Sequence, residues 1–242
     1  MKLKLVEKKE VAKDTKAFYF EPEKRVDYDP GQFFYFTIPD KDMAHKDPRG
    51  NTHHFTLVLS PTEDNLIACA TRMREDSGYK NSLDEIDVGD EIEGEGPSGT
   101  FILDENEKGP HVLLAGGIGI TPFRSIIKYN IDKRLTDIDI HLIYANSVPE
   151  EITFKKELEK WGKENKNIKV DMTCSRPEES SQKWAGLTGR IGGGMIKKLV
   201  GDIKKPTFWV CGPPAMVEGM QKVLGGLKIT SDKIRSEKFT GY

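Results

Sequence analysis

The sequence predicts two domains: an antiparallel β-barrel or sandwich, then an α/β domain built on a parallel sheet. Three observations lead there. Residues 1–103 carry short β-type runs broken by Gly- and Pro-containing turns, the spacing of closed or stacked antiparallel sheets. A polar connector follows, Asp104-Glu105-Asn106-Glu107-Lys108-Gly109-Pro110. Beyond it apolar strands alternate with helical segments, the pattern of a parallel sheet covered on both faces. The boundary is placed after residue 106, giving domains 1–106 and 107–242.

In the first half, strands are expected at 2–8, 16–21, 33–38, 54–60, 66–72, 91–95 and 101–103. Pro30-Gly31, Pro48-Arg49-Gly50 and Gly96-Pro97-Ser98-Gly99 supply the turns. A short helix is expected at 82–86 with Ser82 as its cap, because a serine hydroxyl accepts from the unbonded N–H groups of a first turn. In the second half, strands at 111–115, 138–146, 168–174, 207–211 and 234–239 alternate with helices at 122–129, 151–161, 194–200 and 214–224. Val112-Leu113-Leu114-Ala115 is apolar at every position, as a strand buried on both faces must be. Thr121 and Pro122 open the next helix: threonine caps, and proline is preformed for the first helical position.

Composition excludes several classes. Hydrophobic residues make up 36% and charged residues 31%, which suits a folded globular chain. Lys and Arg number 37 against 39 Asp and Glu, so there is no electrostatic case for nucleic acid or an anionic membrane. Met1-Lys2-Leu3-Lys4-Leu5 lacks the apolar core of a signal peptide, and no run approaches the roughly 18 apolar residues of a membrane span. The cysteines, Cys69, Cys174 and Cys211, are far apart, and no pair has zinc or iron–sulfur spacing. No metal is expected, and a sparse, odd set fits a reducing cytoplasm.

The chemistry begins at Gly116-Gly117-Ile118-Gly119-Ile120-Thr121-Pro122, between a buried strand and a helix. Unbonded N–H groups and the positive end of a helix dipole converge at such a turn, which suits a pyrophosphate. The spacing Gly117-x-Gly119-x-x-Pro122 departs from the Rossmann pattern, which ends in Gly or Ala, and no Gly-Lys-Ser/Thr follows to make a P-loop. Downstream, Cys211-Gly212-Pro213-Pro214 ends a strand and opens a helix. Upstream lie His53-His54-Phe55-Thr56, then Ser77-Gly78-Tyr79-Lys80-Asn81-Ser82-Leu83, then Gly96-Pro97-Ser98-Gly99-Thr100-Phe101. The chain ends Glu237-Lys238-Phe239-Thr240-Gly241-Tyr242. In this order and at these distances, the set resembles the ferredoxin–NADP reductase superfamily over nearly the whole chain. Its members join a flavin-binding β-barrel to an NAD(P)-binding α/β domain.

The resemblance implies roles for these residues. Phe55-Thr56 matches the second half of an Arg-x-Tyr-Ser/Thr motif, in which the aromatic ring packs on the isoalloxazine and the hydroxyl sits near flavin N5. The motif's Arg, which pairs with a flavin phosphate, is His53 here, followed by His54. His is mostly neutral at pH 7, so the phosphate charge falls to Arg72, Arg74 or Lys80, and FAD is favoured over FMN without the motif settling it. Ser77, Gly78, Tyr79, Lys80, Asn81 and Ser82 match a second flavin-phosphate element. Gly117, Gly119, Thr121 and Pro122 match the NAD(P) pyrophosphate loop, and Cys211, Gly212 and Pro213 the segment beside the nicotinamide. Phe239 and Tyr242 either shield the flavin or plug the core, and Glu237 lies near the ring as a proton partner. Ser175-Arg176 is placed to receive a 2′-phosphate, leaving NADPH or NADH open. Thr56, Cys211 and Glu237 are thus the candidate catalytic residues.

The implied activity is hydride transfer from NAD(P)H to FAD, then electron release to a separate acceptor. A ferredoxin-like protein, an oxygenase component, a ferric chelate and a free flavin are all compatible. Two other readings stay open: a reductase subunit of a larger redox complex, and a nucleotide-binding regulatory protein that has lost flavin. Oligomeric state is not encoded in any motif.

Overall fold

The computed structural model describes residues 1–240. Tyr242, one of the two candidate C-terminal aromatics, lies outside the described residues. The N-terminal half contains β1 (Lys2–Ala12), β2 (Thr15–Pro22), β3 (Phe33–Thr37), β4 (Thr52–Thr56), β5 (Ile67–Arg72), helix α1 (Gly78–Glu85) and β6 (Glu91–Ser98). These strands form one antiparallel sheet in the order β4-β3-β6-β1-β2-β5. A bridge between Leu57 and Cys69 joins its two ends, so the sheet closes into a barrel. Alternate residues point inward, and Leu3, Leu5, Phe18, Phe20, Phe34 and Phe36 fill the interior with no exposed surface.

The C-terminal half runs β7 (Gly109–Gly116), α2 (Thr121–Asp132), β8 (Ile138–Asn146), α3 (Lys155–Glu164), β9 (Ile168–Cys174), β10 (Leu187–Thr188), α4 (Gly193–Val200), β11 (Thr207–Gly212), α5 (Pro214–Gly226) and β12 (Ile234–Lys238). All its strand pairings are parallel, in the order β10-β9-β8-β7-β11-β12. The order reverses beside β7, so the turns after β7 and β11 flank a crevice at the carboxyl edge, where open α/β sheets bind ligands.

Some expectations shift. Segment 101–103 forms no strand; Phe101 and Leu103 instead plug a core shared by both halves. Phe101 meets Trp209 edge-on at 5.1 Å and Phe123 at 5.8 Å. The strand expected at 54–60 is Thr52–Thr56, because the chain leaves the β3 pairing at Leu57 to close the barrel. The helix expected from 151 starts at Lys155, after a 3-10 turn (Pro149–Glu151) and a left-handed Phe154 at φ 58°. Helix α1 starts four residues earlier than expected and is capped by Ser77, not Ser82; the Ser77 side chain accepts from Lys80 N. Ser82 lies inside the helix and exchanges hydrogen bonds with the His45 backbone instead. Thr121 does not cap α2 either. A 3-10 turn (Gly117–Ile120) runs straight into the helix, and the Thr121 hydroxyl donates to Ile118 O at 3.2 Å.

The two halves share one apolar cluster and a polar seam. Arg124 of α2 is 6% exposed. Its guanidinium donates to Val58 O at 3.0 Å and to both Glu63 oxygens at 2.8 and 3.1 Å on the barrel side, and to Glu157 at 3.0 Å on α3. It also lies over the rings of Phe154 and Trp161, 5.3 and 5.5 Å away. Ser125 donates to Leu59 O, Thr62 to Asp132, and Arg72 to Glu151.

Candidate flavin and nicotinamide cleft

A cleft of about 380 Å³ opens between the halves. Barrel residues Arg49, His53, His54, Phe55, Thr56 and Lys80 line one wall; Ile118, Thr121, Glu237, Lys238, Phe239 and Thr240 line the other. The expected flavin motif and the chain end therefore face each other, although some 180 residues separate them.

Strand alternation explains the barrel wall. His53 and Phe55 of β4 share one face, their rings nearly parallel and 6.4 Å apart, and His53 stacks on Tyr79 at 4.0 Å and 14°. Tyr79 is fully buried and donates to Phe36 O at 2.8 Å, so the aromatic stack is fixed from behind. Thr56 points to the opposite face and is 5% exposed. The His53 Nε2 atom is buried and has no hydrogen-bond partner among the described residues. Burial, and then the charges of Arg49 and Lys80, lower the His53 pKa and keep it neutral at pH 7, although Asp47 pulls the other way.

The second flavin-phosphate element is arranged differently from expectation. Asp47, whose side chain is 1% exposed, occupies the N-terminus of α1. Its carboxylate accepts from Tyr79 N at 3.0 Å, Ser77 Oγ at 3.2 Å and Arg49 N at 2.9 Å. Burial alone would raise its pKa; those backbone N–H groups and the charges of Arg49 and His53 hold it at about 2. A Cβ on Gly78 would sit 2.1 Å from Lys46 O, so only glycine lets the loop before β4 press onto the helix. Of this element only Lys80 reaches the cleft; Ser77, Gly78, Tyr79, Asn81 and Ser82 lie behind it. Arg72 is turned away to Glu151.

On the other wall, the glycine turn is tied down by Tyr144, whose hydroxyl donates to Gly117 O at 2.9 Å. Gly117 adopts φ +53° with open space where a Cβ would project. At Gly119 a Cβ would meet Cys211 O at 2.4 Å, so this glycine seats the turn against β11. Gly117 thus serves the open side and Gly119 the packed side. Cys211 is fully buried, and burial, with Glu237 adding to it, pushes its thiol pKa far up. It does not line the cleft; with Gly212 and Pro213 it lies beneath the glycine turn.

Glu237 pairs in register with Cys211, and Phe239 N donates to Gly212 O at 3.0 Å, which folds the chain end over the carboxyl edge. Burial raises the Glu237 pKa to about 7, and its buried Oε2 has no hydrogen-bond partner among the described residues. Ser175 and Arg176 sit beyond β9, their N–H groups bonded to Asn146 O and Ser147 O. The Arg176 guanidinium is exposed and paired with Glu179 at 3.1 Å.

Sequence reasoning missed Arg49, Thr52, Ala70, Thr71, Ile118, Lys238 and Thr240 on the cleft wall. Arg49 left a signal: a cation four residues before a motif that lacks its own arginine. Among the described residues no group of three His, Cys, Asp or Glu is placed to hold a metal, and no helix is long and apolar enough to cross a membrane.

The family model described as "Oxidoreductase FAD-binding domain" matches residues 2–102, and "Oxidoreductase NAD-binding domain" matches 113–222. The chain belongs to the ferredoxin–NADP reductase superfamily. Its cofactors are FAD and NAD(P)H, and both halves are oxidoreductase domains. The chain is 25% identical to the glycine betaine monooxygenase reductase subunit of Chromohalobacter salexigens, over 87% of this chain and 56% of that protein. It is 30% identical to NADH-cytochrome b5 reductase 1 of Aspergillus oryzae, over 76% of this chain and 64% of that one. It thus spans less than two thirds of these relatives. A cytochrome P450 reductase from Amycolatopsis has the same fold, with a TM-score of 0.85, 21% identity, and coverage of all of this chain and 70% of its own.

The cleft fits FAD. A flat aromatic at Phe55, with the exposed Arg49, the buried Lys80 and the His53 Nε2 atom on the same wall, suits a flavin carrying phosphates.

Proposed function

We propose that the chain is the reductase part of an electron-transfer system, taking a hydride from NAD(P)H and delivering electrons to a separate acceptor. The observation that carries this is one cleft lined both by the flavin motif and by the chain end beyond the nicotinamide-side strands. Bound flavin supplies the conversion between two-electron and one-electron chemistry. The chain's residues position and polarise. Phe55 supports the ring, and Thr56 offers a hydroxyl at the cleft floor. Gly117 exposes backbone to the dinucleotide phosphates. Glu237, which titrates near neutrality, holds or releases a proton inside the cleft. Cys211 acts by packing, since a thiol so deeply buried is no nucleophile at neutral pH. The curated relatives are named for a monooxygenase and for cytochrome b5, so an oxygenase component or a small haem protein is the acceptor class proposed. A cytoplasmic setting belongs to the same proposal and rests on three buried free thiols.

The test is anaerobic reduction of the FAD-loaded protein by NADH and by NADPH. Bleaching of the flavin band by either nicotinamide supports the function. A protein that takes up no flavin, or whose flavin neither nicotinamide reduces, refutes it. Thr56→Ala should slow bleaching about tenfold while NAD(P)H affinity holds.

A further inference from the structure

Arg72 ends β5, directly after Ala70 and Thr71, which line the cleft. Its guanidinium crosses to the α/β half and donates to Glu151 Oε1 at 2.6 Å. Glu151 has a second attachment: its Oε2 accepts from Ser147 N at 3.3 Å, just past the end of β8. The Ser147 carbonyl accepts in turn from Arg176 N at 2.9 Å, and the Asn146 carbonyl from Ser175 N at 3.0 Å. A continuous run of hydrogen bonds therefore leads from the barrel wall of the cleft to the backbone of Ser175-Arg176.

The neighbouring glutamate repeats the arrangement. Glu150 O accepts from Lys13 N at 2.9 Å, in the hairpin between β1 and β2. Glu150 Oε1 accepts from Ser180 Oγ at 2.6 Å and Ser181 Oγ at 3.2 Å, in the loop that follows Arg176. The turn Pro149–Glu151 thus holds the barrel on one side and the 175–181 segment on the other. The Glu151 side chain is only 15% exposed, so its charge-assisted bond to Arg72 is less screened than a surface pair. The Arg176 guanidinium differs: it pairs with exposed Glu179 at 3.1 Å, a surface contact worth little and readily exchanged for a phosphate. The backbone of Arg176 is tethered while its charged end can be exchanged.

We propose that Arg72 and Glu151 are positioning residues for the coenzyme: they form a strut that holds the Ser175-Arg176 backbone at a set distance from the cleft, so that Arg176 meets a 2′-phosphate without a cost in ordering. The proposal rests on the reading that the cleft takes NAD(P)H with Ser175-Arg176 at its 2′-phosphate. It deepens that reading by assigning part of the coenzyme preference to a residue of the barrel, which acts through Glu151.

The experiment measures binding of NADP⁺ and NAD⁺, which do not reduce the flavin, to the FAD-loaded full chain by calorimetry. Arg72→Met is expected to weaken NADP⁺ about fivefold and leave NAD⁺ unchanged, since only NADP⁺ brings a phosphate to Arg176. Arg176→Ala should do the same. The double variant should again lose about fivefold, and not about twenty-five-fold, because both changes break one connection. Arg72→Lys, which keeps a cation for Glu151, should retain most of the affinity. Glu151→Gln, which removes the charge that Arg72 answers, should weaken NADP⁺ alone, and it tests the strut independently of any loss of folding in Arg72→Met. If Arg72→Met and Glu151→Gln leave NADP⁺ unchanged, or weaken NAD⁺ in equal measure, or if the double variant loses the full product, the strut is overturned while Arg176 keeps its role. If the parent chain binds no NADP⁺, or Arg176→Ala leaves its affinity untouched, the 2′-phosphate reading falls and the strut with it.

Discussion

The same two domains meet in two ways. At the seam every buried charge is answered: Arg124 has carboxylates from both sides, a carbonyl and two aromatic faces. At the cleft, between the same domains, the buried His53 Nε2 and Glu237 Oε2 have no hydrogen-bond partner among the described residues. Unmet polar groups are expensive in a protein interior. Among the described residues, one part of the interface is fully paired and the other holds two buried polar atoms without a hydrogen bond, which is the part a ligand would complete. The seam fixes the spacing of the walls, and the cleft uses it.

The largest effect is expected at the seam. Arg124→Ala strips the charge that Glu63 and Glu157 share, and should cost roughly 3–4 kcal/mol in a urea unfolding curve. A loss under about 1 kcal/mol would show that the seam is not what joins the domains. Next comes Gly119→Ala, which drives a Cβ into Cys211 O. It should cost roughly 2–3 kcal/mol and weaken NAD(P)H binding while FAD stays bound. Equal loss of both cofactors would mean that the two walls are not separable.

Glu237 gives a smaller effect with a defined sign. Its folded pKa is about 7 against 4.5 for the free side chain, so the folded state keeps a proton that the unfolded chain releases. Stability contributed by this group is therefore full below pH 4.5 and declines as pH rises towards 7. Glutamine cannot ionise. Glu237→Gln should match the parent at low pH and exceed it at pH 8 by about 2 kcal/mol, after allowing for solvent screening. Melting curves that differ by the same amount at pH 4 and pH 8 would contradict this. The smallest effect is at Arg176, exposed beyond β9. Arg176→Ala should weaken NADPH about fivefold and leave NADH unchanged; equal binding curves for NADPH before and after would remove Arg176 from the 2′-phosphate site.

The sequence was most readable where one physical cause dominates. Strands 138–146 and 168–174 agree to the residue because each starts on a buried isoleucine and ends in largely buried residues, with Asp139 and Lys169 at exposed positions near the start. The glycine turn was readable because the backbone conformation and the close approach both demand glycine. The start of α1 was not. Ser77 and Ser82 are equally good caps locally, and the choice is made by Asp47, thirty residues upstream. Arg124 reads as an ordinary helix cation; its importance comes from Glu63 and Val58, more than sixty residues away. The cleft followed the same division. Phe55-Thr56 and the glycine turn were visible as motifs, whereas Arg49 belongs to no motif and enters the site through the fold of its loop.

Asp47 also bears on the order of events in making the protein. A helix whose first turn depends on a cofactor's phosphate stays frayed until that cofactor arrives, and folding then waits on supply. Here the chain carries its own anion for that position. The first turn of that helix is therefore held by a carboxylate that is covalently part of the barrel, so its order does not wait on a cofactor; the flavin-stripped chain is expected to keep the far-UV circular dichroism of the loaded one.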